Sequence, residues 1–390
     1  MASRTREHPT TEKRLISAAV ELFSGKWYGI VSVAEICRRA GLSNGVFYRY
    51  FDSKESLFKL LLGQVSDMIR SALDGVQGSD RAQRLRSFTE IIIRFSESHR
   101  DLVSVFREGQ YRFFEYERRL VSVYSKSLGS VLGREAGMAE YLFALGGLRF
   151  CAIRRAFHGA AVHSEAVYGI LAQGLFRGMG FDAARVFGGS ASALPLPLQE
   201  SARERLLRAG RKLFGERGFF ETNIHEVTDS AGLSVGAFYT YFESKEAFYA
   251  ELIARVGHDV RAFISSNLAS SGTGGMNALE LELRGLWLWL VYLSMDIYCY
   301  NIVREAEFVL PSAVRGYYDA FAAGYRKRPA ELKVNCAARG IDETSAIEYL
   351  MGIAHYLGIE AAFDESPANA RSLVEAIGGY LAGGFSEYLN

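Results

Sequence analysis

The chain has 390 residues, 49% of them hydrophobic and 23% charged, which excludes a disordered or fibrous polymer and is too long for one ordinary core. Its 45 Lys and Arg against 44 Asp and Glu leave a net charge of +1, so bulk charge selects neither nucleic acid nor an acidic surface as partner. Cys37, Cys151, Cys299 and Cys336 are far apart with no CxxC pair, which argues against a disulfide frame or a zinc site and predicts buried thiols in a reducing, cytoplasmic setting.

The N-terminus is polar and charged, unlike a secretory leader. Residues 1–60 hold ten Lys or Arg against six Asp or Glu, and Arg4, Arg6, Lys13 and Arg14 form a basic arm suited to a phosphate backbone. Leu15, Ala18, Ala19, Leu22 and Phe23 recur at helical spacing and predict an amphipathic helix ending near Gly25. Ser32 with Glu35 reads as a capping box opening a short second helix, which Gly41 ends in a left-handed turn. Ser43 is expected to cap a third helix reaching about Tyr50, and Ser53 to start a long fourth one. Two short helices joined by a glycine-containing turn make a helix-turn-helix.

In such a unit the third helix enters the major groove. Phe47 and Phe51, spaced i and i+4, should pack inward, leaving Asn44, Gly45, Val46, Tyr48, Arg49 and Tyr50 outward. Asn suits adenine, Arg suits guanine and Val suits a thymine methyl. The tyrosine hydroxyls, Lys54 and the amides at the Ser32 helix start suit phosphates.

Further along, Phe106, Phe113 and Tyr124 are candidate pocket aromatics, though aromatics at helical spacing more often serve as core. Residues 188–199, GGSASALPLPLQ, form a helix-breaking linker around Pro195 and Pro197. The chain then starts again. A shift of 191 carries Arg14–Glu55 onto Arg205–Glu246 without a gap, with about 18 identities, densest in AGLSNGVFYRYFDSKES over AGLSVGAFYTYFESKEA. Ser201 with Glu204 and Asn223 with Glu226 repeat the caps, Gly232 the turn and Ser234 the third N-cap. Weaker echoes relate Arg107-Glu108 to Arg304-Glu305 and Glu140-Tyr141-Leu142 to Glu348-Tyr349-Leu350. The duplication therefore covers whole domains.

The second copy is more acidic: residues 200–254 carry seven Lys or Arg and nine Asp or Glu, although Arg203, Arg205, Arg208, Arg211 and Lys212 cluster on its first helix. The apolar run from Leu286 to Val303 contains Asp296 and Asn301 and predicts a buried helix or pocket wall, not a membrane span. Trp287, Trp289, Tyr292, Met295, Tyr298, Tyr300, Glu305 and His355 are candidate ligand-pocket residues there. His158 and His355 have no second ligand at metal spacing, and no metal or cofactor is expected. Gly146-Gly147, Gly378-Gly379 and Gly383-Gly384 would let helices approach closely. No GxSxG elbow, HExxH, phosphate loop or dinucleotide fingerprint occurs, so no enzyme is indicated.

The pattern FYxYFxSKE after Ala-Gly-Leu-Ser resembles the signature of the TetR family of bacterial transcription regulators, over about 45 residues in each half. The resemblance implies an all-α fold: a three-helix DNA-binding domain followed by a helical domain that binds a small effector and dimerises through its last two helices. It assigns DNA contacts to Ser32, Asn44, Gly45, Val46, Tyr48, Arg49, Tyr50 and Lys54, and to Asn223, Val235, Gly236, Ala237, Tyr239, Thr240, Tyr241 and Lys245. This chain departs from the family in joining two subunits end to end. The expected organisation is a DNA-binding domain at 1–55, a regulatory domain at 56–187, a linker at 188–199, a second DNA-binding domain at 200–246 and a second regulatory domain at 247–390, paired as an intramolecular pseudo-dimer. The expected function is a ligand-responsive repressor on double-stranded DNA, with unlike readers and a non-palindromic operator. The acidic second copy leaves open a ligand- or partner-binding protein of the same fold with weak or lost DNA binding. Assembly of two chains into a further homo-oligomer is also left open.

Overall fold

The computed structural model describes residues 10–194, 200–270, 274–327, 331–363 and 370–389, and every regular element among them is helical. Arg4 and Arg6 of the basic arm, and the Pro195 and Pro197 steps of the linker, lie outside the described residues. In the first half the helices are α1 (Thr11–Gly25), α2 (Val33–Ala40), α3 (Asn44–Phe47), α4 (Lys54–Leu73), α5 (Arg81–Ser98) and α6 (Arg100–Arg112). They continue with α7 (Phe114–Leu132), α8 (Met138–Tyr141), α9 (Gly147–His158), α10 (Ser164–Gln173) and α11 (Ala183–Phe187). The second half contains α12 (Ala202–Arg217), α13 (Ile224–Ala231), α14 (Val235–Tyr241), α15 (Lys245–Ser270) and α16 (Ala278–Met295). It ends with α17 (Tyr298–Val309), α18 (Pro311–Arg326), α19 (Glu331–Ala337), α20 (Glu343–Phe363), α21 (Ala370–Gly383) and α22 (Ser386–Leu389). The chain divides into two compact units, residues 1–74 with 98–123, and residues 75–97 with 124–390.

The first unit is built on α1, which buries Leu15, Ala18, Ala19 and Phe23 against α2, α4 and α6. Gly41 closes α2 with φ of +66°, a left-handed conformation that a β-carbon disfavours, and its N–H bonds to the Arg38 carbonyl. Arg14 reinforces this end by donating to the Ala40 carbonyl at 2.7 Å. Ser53 and Ser56 bond each other's backbone amides and fix the start of α4. Beyond that cap, Leu57, Phe58, Leu61 and Leu62 are fully buried.

The third helix of the first copy differs from expectation. It stops at Phe47, and the Ser43 side chain caps nothing. The Val46 amide, which Ser43 Oγ would have bound, bonds the Ser43 backbone carbonyl instead at 3.0 Å. The amides of Arg49 and Tyr50 likewise reach back three residues, so Tyr48–Tyr50 winds as a tight turn. In the second copy Ser234 Oγ does accept the Ala237 amide, at 3.2 Å, and α14 runs regularly to Tyr241. Glu35 also fails to close its capping box, because its carboxylate pairs with Lys26. Asn223 and Glu226 close theirs reciprocally, both bonds 3.0 Å.

In the second unit, α12 lies against α13, α15 and α17, while α15 packs on α16 and α18. The apolar run from Leu286 to Val303 is divided between α16 and α17, which meet at a bend of 97°. No single helix among the described residues is long and apolar enough to cross a membrane. Elsewhere in this unit a π-turn at Leu142–Gly146 leads into α9, and both lie on α20. Small residues allow this approach: a β-carbon added to Gly352 would lie 2.6 Å from the Gly146 carbonyl oxygen. Gly379 and Gly383 have open space instead, so their smallness is not a packing requirement. Arg154 donates to both Glu348 oxygens at 2.9 and 3.1 Å, with each side chain 5% exposed, and Tyr349 donates to the Phe143 carbonyl at 2.6 Å. The Glu-Tyr-Leu echoes thus sit where helices of the two halves meet.

Candidate nucleic-acid interface and apolar cavity

In each copy the two phenylalanines of the third helix anchor it. Phe47 and Phe51 are buried, as are Phe238 and Phe242, and the rings of each pair meet at a tilt with centroids 5.5 and 5.3 Å apart. Anchoring that face turns the tyrosines out: Tyr48 is 61% exposed and Tyr239 57%, with Tyr50 and Tyr241 close behind. Large aromatics so exposed on two matching helices form a recurrent feature of the fold, not a core. Asn44, Gly45 and Arg49 are also exposed, Val46 is half-buried, and Arg49 makes no ion pair among the described residues. In the second copy Gly236 and Thr240 are exposed, with Val235 and Ala237 half-buried. The Thr240 hydroxyl donates back to the Gly236 carbonyl at 3.1 Å. Ser32 and Asn223 are exposed at the starts of α2 and α13, each accepting its own helix amide.

Lys54 and Lys245 are placed differently from the rest. Lys54 Nζ donates to the Tyr28 and Val31 carbonyls, both at 2.8 Å, and lies 4.2 Å over the Tyr28 ring. Lys245 Nζ lies 4.2 Å over the Phe219 ring. Burial holds both ammonium groups below the ordinary lysine value. These cations brace the turn before the second helix of each copy, and two of the three Lys54 donors are engaged there.

The basic cluster on α12 is largely neutralised. Arg203 pairs with Glu251, and Arg208 with Glu200. Arg211 is half-buried between Asp259 at 2.7 Å and Asp296 at 2.6 Å, and also donates to the Tyr292 hydroxyl. Burial opposes its charge, but those acids hold the guanidinium above its ordinary value. Its role is to fix the α16–α17 bend from beneath. Only part of the positive stripe read from sequence remains available on the surface.

The Arg-Glu echo has a specific structural meaning. Glu108 on α6 accepts the Tyr28 amide at 2.7 Å, and Glu305 on α17 accepts the Phe219 amide at 2.7 Å. A helix that follows the helix-turn-helix in each half thereby holds the loop between its first two helices. In the second half, Asn301 adds a bond to the Gly215 carbonyl at 2.9 Å and Tyr298 one to Glu216 at 2.8 Å.

One cavity of about 380 Å³ opens within the second unit. Its walls are helical stripes: Arg261, Ile264, Ser265 and Leu268 from α15, and Tyr300, Val303 and Arg304 from α17. Tyr317, Phe321 and Tyr325 line it from α18, and Met351, Ala354 and His355 from α20, with Leu286 and Trp289 from α16. Of the sequence-expected pocket residues, Trp289, Tyr300 and His355 are in this wall. The others are not. Tyr292 serves Arg211, Met295 is 54% exposed, Tyr298 serves Glu216, and Glu305 serves Phe219. In the first half Phe106 is buried, Phe113 lies by Phe58 and Tyr28, and Tyr124 is buried near Arg149. The missed wall residues on α18 do carry a sequence signal, an aromatic stripe at i, i+4 and i+8. Among the described residues no His, Cys, Asp and Glu group could hold a metal.

The profile of the bacterial regulatory proteins of the tetR family matches this chain twice, at residues 15–61 and 206–252. The uncharacterized HTH-type transcriptional regulator YdgC of Bacillus subtilis is 28% identical over 156 residues, covering 40% of this chain and 78% of that protein. The HTH-type transcriptional repressor DhaR of a Mycobacterium species is 32% identical over 78 residues, 20% of this chain and 39% of that repressor. Among solved structures, the fatty acid degradation regulator FadR from Bacillus halodurans aligns with 48% of this chain and 98% of its own, at 16% identity and a TM-score of 0.38.

Proposed function

The chain belongs to the tetR family of bacterial regulatory proteins, with two family units in one polypeptide, and from that premise we propose that it is a ligand-responsive transcriptional repressor with two unlike DNA readers. The observation that carries this reading is the pair of solvent-facing third-helix surfaces. Tyr48, Arg49 and Tyr50 stand out from one copy, and Tyr239, Thr240 and Tyr241 from the other. Arg49 offers a bidentate donor to a guanine edge, whereas Thr240, bonded to its own helix, offers chiefly a methyl group. Unlike readers address unlike half-sites, hence a non-palindromic operator. Domains at 1–55 and 200–246 read, and regions 56–187 and 247–390 regulate. The α9–α20 contact takes the part of a subunit interface inside one polypeptide.

Coupling to a ligand follows from α17. Tyr300, Val303 and Arg304 face the cavity, and the next residue, Glu305, holds the Phe219 amide at the second reader. The opposite wall is backed by the first half: Phe150 of α9 lies 5.3 Å from the Tyr318 ring and 5.6 Å from His355. A ligand that fits one arrangement of these helices better than another shifts the population of DNA-binding forms by that difference alone.

Selection of bound sequences from a random DNA pool tests the reading. The expected product is two dissimilar half-sites, and Arg49→Ala relaxes the preference at one of them only. A perfect palindrome contacted equally by both copies refutes the proposal of unlike readers. The neutralised arginines on α12 favour a second reading, a ligand- or partner-binding protein of the same fold with little DNA affinity in the second copy. Negligible gel-shift binding by the full chain at moderate salt selects it.

A further inference from the structure

Resting on the reading of the cavity as the effector site, we propose that its ligand is a flat apolar organic anion: a ring system carrying one carboxylate-type group. The walls supply the apolar part. Leu286, Trp289, Phe321 and Met351 offer broad, weakly hydrated surface, and about 380 Å³ is at the small end of ligand pockets, which span roughly 300–1,000 Å³. Two fused rings suit that space better than a long flexible chain.

The charge of the lining decides the polar part. Arg261, Arg304 and Lys327 all line the cavity, and no Asp or Glu does among the described residues. The nearby carboxylates lie behind the wall and are engaged by its phenols: Tyr318 donates to Glu307 at 2.7 Å and Tyr325 to Glu282 at 2.8 Å. Arg261 and Lys327 make no ion pair among the described residues. The Arg261 guanidinium lies over the Phe321 ring, 5.2 Å from its centroid, where burial disfavours its charge. A guanidinium so placed has lost water without gaining a counter-ion. An anion entering beside it restores that interaction, whereas a neutral ligand leaves the charge desolvated and a cation adds repulsion. His355, the remaining titratable wall group on α20, lies against Phe150 and supplies no negative charge.

The test is calorimetric titration of the full chain with three probes sharing one ring system: 2-naphthoate, 2-naphthalenemethanol and 2-naphthylmethylammonium. Naphthoate is expected to bind about tenfold or more tighter than the alcohol, as one charge-assisted hydrogen bond implies, and the ammonium to bind weakest. Arg261→Met and, separately, the exposed Lys327→Met should weaken naphthoate severalfold and leave the alcohol unchanged. Because Lys327 is on the surface, its variant retains the fold and keeps the comparison valid if Arg261→Met does not. Equal affinity for acid and alcohol, equal weakening of both by the variants, or no saturable binding of any probe overturns the proposal. A preference for the acid in a chain without DNA affinity sustains this inference while removing the repressor reading. DNA binding with no acid preference does the reverse.

Discussion

Replacing Gly352 with alanine isolates the contact between the two halves. In a free helix the change is favourable by about 1 kcal/mol, because glycine loses more backbone freedom on folding. Here the new β-carbon meets the Gly146 carbonyl oxygen and Phe150 Cβ, each at 2.6 Å, and Gly147 Cα at 3.0 Å. None of these atoms rotates away. Ordinary contact needs about 3.5–4 Å, so α9 and α20 must separate by roughly 1 Å. Overpacking of this kind costs about 1–3 kcal/mol, and obstruction by backbone favours the upper end. Separation also stretches the Arg154–Glu348 and Tyr349–Phe143 bonds. The net expectation is destabilisation of about 1–2 kcal/mol. Gly379→Ala on α21 is the matched control: no atom lies within 4 Å of its new β-carbon, so a gain of up to about 1 kcal/mol is expected. Urea denaturation followed by far-ultraviolet circular dichroism reads both as midpoint shifts of opposite sign. A Gly352→Ala midpoint at or above that of the parent, or equal shifts in the two variants, refutes the close-contact argument.

Three further outcomes follow from the site geometry. Lys54→Met should lower stability by about 1–2 kcal/mol, since two charge-assisted bonds are lost from a half-buried position, while the salt dependence of DNA binding stays nearly unchanged; a slope reduced by about one with stability intact would instead make Lys54 a phosphate contact. Glu305→Ala leaves the buried Phe219 amide without this acceptor, so footprinting should show loss at the second half-site with the first retained; uniform loss at both would disprove the local latch. For Glu140, burial alone would raise the pKa, but hydrogen bonds from Tyr380 and Arg134 hold it below the ordinary value of 4.5. Its stabilisation is therefore present above about pH 4.5 and is lost as pH falls through the folded value, so Glu140→Gln should flatten the acid limb of a stability-versus-pH curve. An unchanged acid limb in that variant would count against it.

The sequence by itself determined the local architecture of the two readers, because that information is carried by backbone punctuation. Gly41 and Gly232 adopt the left-handed turn that ends the second helix, Ser32 and Asn223 cap its start, and the paired phenylalanines bury one face while the tyrosines turn out. The caps and glycine turns act between residues a few positions apart, and the phenylalanine spacing needs only the helices next in the chain to cover it. Even there, one hydrogen bond separated α3 from α14: the same amide takes a carbonyl in one copy and a hydroxyl in the other. Tertiary structure alone decided what the regulatory aromatics and charges do. Tyr292, Tyr298 and Glu305 are on the same or neighbouring helices as the cavity residues Trp289, Tyr300 and Arg304, yet a bend of 97° and the packing of α12 direct them elsewhere. Helical periodicity says that a residue faces a neighbour; which neighbour, and whether space remains between them, depends on helices distant in the chain.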